Sequence, residues 1–125
     1  RMLVVEDEAN LRRLYEFQVA SWKLPLDLAT ASDGFEALVR LGEQSPDILV
    51  TDLRMPGMDG FRMLRRLREL KLDVGMLVIA VTALDAGEIE VYGGLPPGVR
   101  VFAKPVPFER LRRLVEERIG CPAAA

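Results

Sequence analysis

The runs Met2–Val5 (MLVV), Ile48–Thr51 (ILVT) and 76–81 (MLVIAV) are apolar almost throughout and rich in branched side chains. A strand with one face in water alternates polar with apolar residues, so short unbroken runs of this kind describe strands covered on both faces. Two weaker runs, 26–31 (LDLATA, partly alternating and nearer an edge) and 99–103 (VRVFA), bring the set to five. Segments with apolar residues at helical spacing separate them. Strand and helix alternating in this way predict an α/β domain, a doubly wound parallel sheet with helices on both faces.

The helical segments differ in strength. Residues 9–22 offer a stripe of Leu11, Leu14 or Tyr15, Gln18 or Val19, and Trp22, with Asn10 or Asp7 to cap the start. Residues 32–41 carry Phe35, Leu38, Val39 and Leu41 and end at Gly42, and Ser45-Pro46 then breaks the chain before the third strand. Residues 61–70 present Phe61, Leu64 and Leu67, with Met63 and Leu70 at the edge of the face. The arginines 62, 65, 66 and 68 fall on its outer side, where solvated arginine is ordinary. A weak helix over 86–92 runs into GGLPPG, which no regular element tolerates, and a closing helix uses Phe108, Leu111, Leu114 or Val115, and Ile119. No repeat is present beyond this alternation.

Length and charge narrow the classes. A chain of 125 residues, half of them hydrophobic, suffices for one core and not for two. With 17 basic residues against 19 acidic ones, there is no basic excess to neutralise phosphates, so direct nucleic-acid binding is not expected. The single Cys121 cannot form an internal disulfide, which points to a reducing, cytoplasmic setting. No apolar stretch reaches the roughly 20 residues that a membrane span needs, and no signal-like segment precedes the first strand. The opening at Arg1 and the closing GCPAAA read as a domain, residues 1–119, cut from a longer protein, with 120–125 as the start of a linker or an expression remnant.

In such sheets ligands bind beyond the carboxyl ends of the strands. Those ends carry Glu6 and Asp7 after the first strand, Asp52 after the third, Thr82 at the end of the fourth and Lys104 after the fifth. Neighbouring carboxylates repel, so the stretch EDE at 6–8 is a solvent-washed turn, a cation site, or an anion-handling site that works through a cation. Oxygen ligands at this density suit a hard divalent ion such as Mg²⁺. A carboxylate is also a competent nucleophile toward phosphorus when a metal and an ammonium neutralise the phosphoryl oxygens. Asp52 is the candidate, because the third strand is central in the common five-stranded order. Lys104 would contact the phosphoryl group, Thr82 would donate a hydrogen bond to it, and the Arg54 carbonyl would complete the metal's protein ligands. Each residue alone has a bland reading: a turn acid, a helix cap, a surface lysine. Met55, Met58 and Met63 are packing or loop residues. Convergence at one end of one sheet carries the functional reading.

These residues, with the segment TDLRMPGMDG at 51–60, Thr82-Ala83, and Lys104-Pro105 leading to Phe108, resemble the receiver domains of two-component response regulators over nearly the whole chain. The resemblance implies a flavodoxin-like sheet of order 2-1-3-4-5 and transfer of a phosphoryl group from a partner histidine kinase, a phosphotransfer protein or a small phosphodonor to Asp52. It implies Mg²⁺ held by Glu6, Asp7, Asp52 and the Arg54 carbonyl, and self-dephosphorylation influenced by Arg54 and Gly57. A conformational output would reach the surface of the fourth helix, fifth strand and fifth helix, a possible homodimer face, and an output region would lie outside this segment. In the family Lys104-Pro105 is commonly a cis peptide.

Three features depart from the family pattern. Glu6 stands where aspartate is commoner. Val101 stands where an aromatic residue usually couples to the threonine, so coupling runs without an aromatic or the strand carries an irregularity that turns Phe102 inward. The segment 85–98, DAGEIEVYGGLPPG, shortens the fourth helix. Two rival functions follow: a degenerate receiver that serves as an unphosphorylated binding or dimerisation module, and a flavin carrier. Acids where a flavin phosphate would need Gly, Ser or Thr donors disfavour the second.

Overall fold

The computed structural model describes residues 1–120. Five parallel strands, β1 (Met2–Val5), β2 (Leu28–Ala31), β3 (Ile48–Thr51), β4 (Leu77–Thr82) and β5 (Arg100–Ala103), form one sheet of order β2-β1-β3-β4-β5. The helices between and after them are α1 (Ala9–Ser21), α2 (Gly34–Glu43), α3 (Gly60–Glu69), α4 (Ala86–Val91) and α5 (Phe108–Ile119). The order reverses between β1 and β3, so the crevice of this sheet opens above those two strands.

The continuous apolar runs are explained by two cores. Leu3, Val5, Leu49, Val78 and Ala80 face α2 and α3, packing on Ala37, Leu41, Phe61, Leu64 and Leu67. Met2, Val4, Ile48, Val50, Ile79, Val81 and Phe102 face the other way, against Tyr15 and Val19 of α1 and Leu111 and Val115 of α5. Successive strand residues thus alternate between two apolar layers, each buried side chain contributing about 1.5–3 kcal/mol by leaving water.

The helices revise several expectations. In α1, Tyr15 and Val19 are buried, Leu14 is exposed, and the N-cap is Glu8 with no side-chain bond, so neither Asn10 nor Asp7 caps it. In α2 the buried positions are Gly34, Ala37 and Leu41, while Phe35 and Val39 point outward and Gly42 lies inside the helix. Leu70 is also largely exposed, as the cap residue of α3. The second strand is shorter than 26–31 because Leu26 and Asp27 precede its paired register.

α4 spans six residues and buries none of them. Its start is held by a capping box: Asp85 accepts from the Glu88 N–H, and the Glu88 carboxylate accepts from the Asp85 N–H. Gly93 and Gly94, at φ 97° and 74°, turn the chain out of it. β5 pairs with β4 without irregularity, Ala80 opposite Val101 and Val81 opposite Phe102. Val101 is therefore on the α4 side, where it helps to line an open groove of about 410 Å³ with Leu84, Ile89 and Leu95. Phe102 is on the α5 side beneath the Arg110 guanidinium, 4.7 Å above its ring. Of the two alternatives for this strand, the position is without an aromatic. Cys121 and the remainder of the proposed linker lie outside the described residues.

Candidate functional site

Backbone pairing carries the ladder one residue past the strands and fixes the site residues there. The Glu6 N–H donates to Ala31 O (3.0 Å), Asp52 N–H to Val5 O (3.0 Å) and Lys104 N–H to Thr82 O (2.9 Å). Each of these residues is thus anchored by a sheet bond while its side chain emerges at the carboxyl end. Glu6 and Asp52, 2% and 8% exposed, are two of the few buried polar residues, with Thr51 and Thr82; Asp7 is exposed.

The loop after Asp52 is held by two close glycine contacts. Gly60 opens α3 so tightly under the acceptor that an added Cβ would lie 2.2 Å from Asp52 O and 2.9 Å from the Leu53 Cα. Gly34 opens α2 against the same loop, its N–H donating to Met58 O (3.1 Å), and a Cβ there would lie 2.5 Å from that oxygen. Asp59 caps α3 by accepting from the Arg62 N–H.

Lys104 closes the constellation. Its ammonium donates to Asp52 Oδ2 (2.8 Å) and to Glu6 Oε1 (3.0 Å), joining the ends of β1, β3 and β5. The other Asp52 oxygen accepts from the Leu53 N–H (2.7 Å) and the other Glu6 oxygen from the Glu8 N–H (3.1 Å). Burial would lower the Lys104 pKa, but its bonds to Asp52 and Glu6 outweigh that and hold the ammonium above its ordinary value. Burial also pushes the Glu6 carboxyl upward, against the opposing pull of the Glu8 N–H and Lys104. Tyr15 is raised likewise, by burial first and then by the charges of Glu6 and Asp52.

Carboxylate oxygens of Glu6, Asp7 and Asp52 lie within 4.8 Å of one another. An all-oxygen set of this kind fits a hard divalent cation. Thr82 Oγ1 accepts from the Leu84 N–H (3.1 Å), a bond that occupies a lone pair and not the hydroxyl proton. The Lys104-Pro105 peptide is cis. Of the side chains expected to converge, those of Glu6, Asp7, Asp52 and Lys104 stand together. Thr82 ends β4 with its hydroxyl bonded to the Leu84 N–H, and Arg54 stands in the loop two residues beyond Asp52.

The response regulator receiver domain family model matches residues 2–116. The chain belongs to the response regulator receiver domain family. It is 37% identical to Response regulator PleD of Caulobacter vibrioides over 95% of this chain and 27% of that protein. It is 39% identical to Sensor histidine kinase RcsC of Salmonella typhi over 90% of this chain and 11% of that one. The receiver thus spans about a quarter or less of these two relatives. The N-terminal domain of an uncharacterized Wolinella succinogenes protein superposes with a TM-score of 0.79 at 26% identity, covering 96% of this chain and 94% of that one. No helix among the described residues is long and apolar enough to cross a membrane.

Side-chain contacts around this receiver's acceptor loop were not visible as a sequence pattern. The Arg54 guanidinium lies 5.0 Å above the Tyr92 ring and donates to its hydroxyl. Tyr92 stacks on Phe61, with centroids 5.1 Å apart and planes 19° apart.

Proposed function

We propose that this receiver is a phosphoacceptor switch in which an Asp52 oxygen attacks the phosphorus of a partner kinase's phosphohistidine, or of a small phosphodonor. With phosphohistidine the new O–P bond forms as the P–N bond breaks, and the imidazole nitrogen leaves with the bonding pair and takes up a proton; with acetyl phosphate the donor's P–O bond breaks and acetate leaves. Lys104 Nζ, already 2.8 Å from Asp52 Oδ2, is suited to contact the phosphoryl oxygens. Glu6, Asp7, Asp52 and the Arg54 carbonyl are the residues that would hold Mg²⁺, which when bound supplies positive charge against the phosphoryl oxygens. In self-dephosphorylation water attacks the acyl phosphate, releasing inorganic phosphate and the Asp52 carboxylate, and Arg54 and Gly57 within the acceptor loop would influence its rate.

The single observation that carries this reading is the Lys104 ammonium shared between Asp52 and Glu6 within an all-oxygen acidic cluster. Phosphate adds strong acceptor oxygens that the Thr82 proton can meet, drawing the start of α4 inward and shifting a conformational equilibrium. We assign the receiver to residues 1–119 and a cytoplasmic setting. Its partners are a histidine kinase or phosphotransfer protein and an output region beyond this segment, and α4, β5 and α5 provide the possible homodimer face.

Val101 and the short α4 favour a second reading, a degenerate receiver that binds partners without phosphorylation. Incubation with Mg²⁺ and acetyl phosphate, followed by intact-mass analysis, separates the two. The switch gains one phosphoryl group, needs Mg²⁺ for it, and loses the gain on Asp52→Asn; a folded wild-type chain that gains nothing is the degenerate module.

A further inference from the structure

α4 is too short and too exposed to be positioned by its own burial, so its place depends on what holds its ends. The front end is tied to the site: Leu84 N–H donates to Thr82 Oγ1, and the capping box follows directly. The back end is gripped at Tyr92 by three groups from outside the helix. Phe61 stacks beneath the ring, Arg54 lies over it and donates to the hydroxyl, and Arg65 of α3 donates to Tyr92 O (2.6 Å). Gly93 follows so closely that an added Cβ would lie 3.3 Å from Arg65 Nη2.

Of these groups, Arg54 is the one within the acceptor loop, and its present partners are an aromatic face and a neutral hydroxyl. A phosphoryl group on Asp52 would introduce about 1.5 to 2 negative charges and three acceptor oxygens two residues away. Guanidinium bonds to phosphate are charge-assisted on both sides and stronger than a bond to phenol.

We propose that Tyr92 is a positioning residue that holds the Arg54 side chain on α4, and that phosphorylation of Asp52 draws Arg54 from Tyr92 to the phosphoryl group, releasing the back end of α4. In this chain the clasp links the acceptor to α4 from the loop side, where β5 offers only Val101. The inference rests on the phosphoacceptor reading of Asp52 and adds to it the residue that opposes activation.

Beryllofluoride with Mg²⁺, which stands in for the phosphoryl group on an aspartate, tests both. Breaking the clasp opposes binding by about one exposed hydrogen bond from a guanidinium to a phenol, weakened by solvent, so Tyr92→Phe, which keeps the ring and loses the hydroxyl, should bind beryllofluoride about three- to tenfold tighter than wild type. Its thermal midpoint should stay within a few degrees. In an Arg54→Ala background the same substitution should change nothing, because no guanidinium remains to be released.

The two tyrosines give an internal control, since ring-labelled Tyr15 and Tyr92 are separate NMR reporters. On beryllofluoride binding, the Tyr92 signals should move toward their position in Arg54→Ala. Equal affinity of wild type and Tyr92→Phe, or a tightening that persists without Arg54, overturns the clasp while leaving the phosphoacceptor reading intact. Failure of the folded wild-type chain to bind beryllofluoride at all overturns the phosphoacceptor reading and the clasp with it.

Discussion

Replacing Lys104 with methionine keeps an unbranched apolar stem out to the ε position and removes the one charge shared by Glu6 and Asp52. At the observed 2.8 and 3.0 Å, and an effective dielectric near 20, each contact amounts to about 5–6 kcal/mol of attraction before the lysine's own desolvation is subtracted. The variant does not lose all of this, because a buried carboxyl left without a counter-charge takes up a proton. Keeping a glutamate of ordinary pKa 4.5 protonated at pH 7 costs about 3.4 kcal/mol, at roughly 1.36 kcal/mol per unit of pH. That figure bounds what neutralising Glu6 costs at pH 7, and with a single proton taken up by the pair we expect a destabilisation of about 2–3 kcal/mol. At pH 5 the same route costs about 0.7 kcal/mol, so the penalty should nearly vanish. The sign follows from proton counts: burial already raises Glu6, and loss of the ammonium raises it further. Above 4.5 the variant's folded state then holds more protons than its unfolded state, and its stability falls as pH rises. Urea denaturation of both proteins at pH 5, 6 and 7, with chelator present, measures the difference directly. A penalty that does not change with pH, or one below about 0.5 kcal/mol at pH 7, would refute the shared-ammonium account.

Gly60→Ala should destabilise the domain by about 1–3 kcal/mol in the same assay, since its Cβ has nowhere to go but into Asp52 O; a change inside ±0.5 kcal/mol would mean the loop yields freely. Glu36 accepts from the Ser32 hydroxyl and N–H, which hold its carboxyl below the ordinary range, with Arg40 adding to the effect. Its contribution to stability is therefore present above the ordinary value of 4.5 and lost as pH falls through the lowered one. Ser32→Ala, which removes the hydroxyl and keeps the N–H, should move the Glu36 titration partly back upward by NMR, and an unmoved midpoint would assign the depression to the Ser32 N–H and Arg40 instead.

What could be read from the residues was what unbroken runs and chain breakers encode. β1 and β3 were delimited to the residue because every position in them is covered on both faces, leaving no polar alternation to blur the ends. The positions of Glu6, Asp52, Thr82 and Lys104 were legible by the same logic, since each stands at or just past a strand's carboxyl end. The inward face of α2 is not legible in its hydrophobicity, because its inward positions include Gly34 and Ala37, small residues that permit close approach, while Phe35 and Val39 have the hydrophobicity but not the direction. The cap of α1 was misjudged because polar residues cluster there and none of their side chains makes the bond. The Lys104–Glu6 bond and the grip on Tyr92 join residues 98 and 38 apart along the chain, distances at which no local pattern exists.

If Asp52 is the nucleophile, the phosphate it receives is an acyl phosphate, and borodeuteride reduction converts that residue alone to a deuterium-labelled homoserine. After incubation with Mg²⁺ and acetyl phosphate, peptide mass spectrometry should find the label at position 52 and nowhere else, and chelating the metal beforehand should abolish it. Label on Glu6, on Asp7 or on no residue of the folded chain would contradict the assignment of Asp52 as the acceptor.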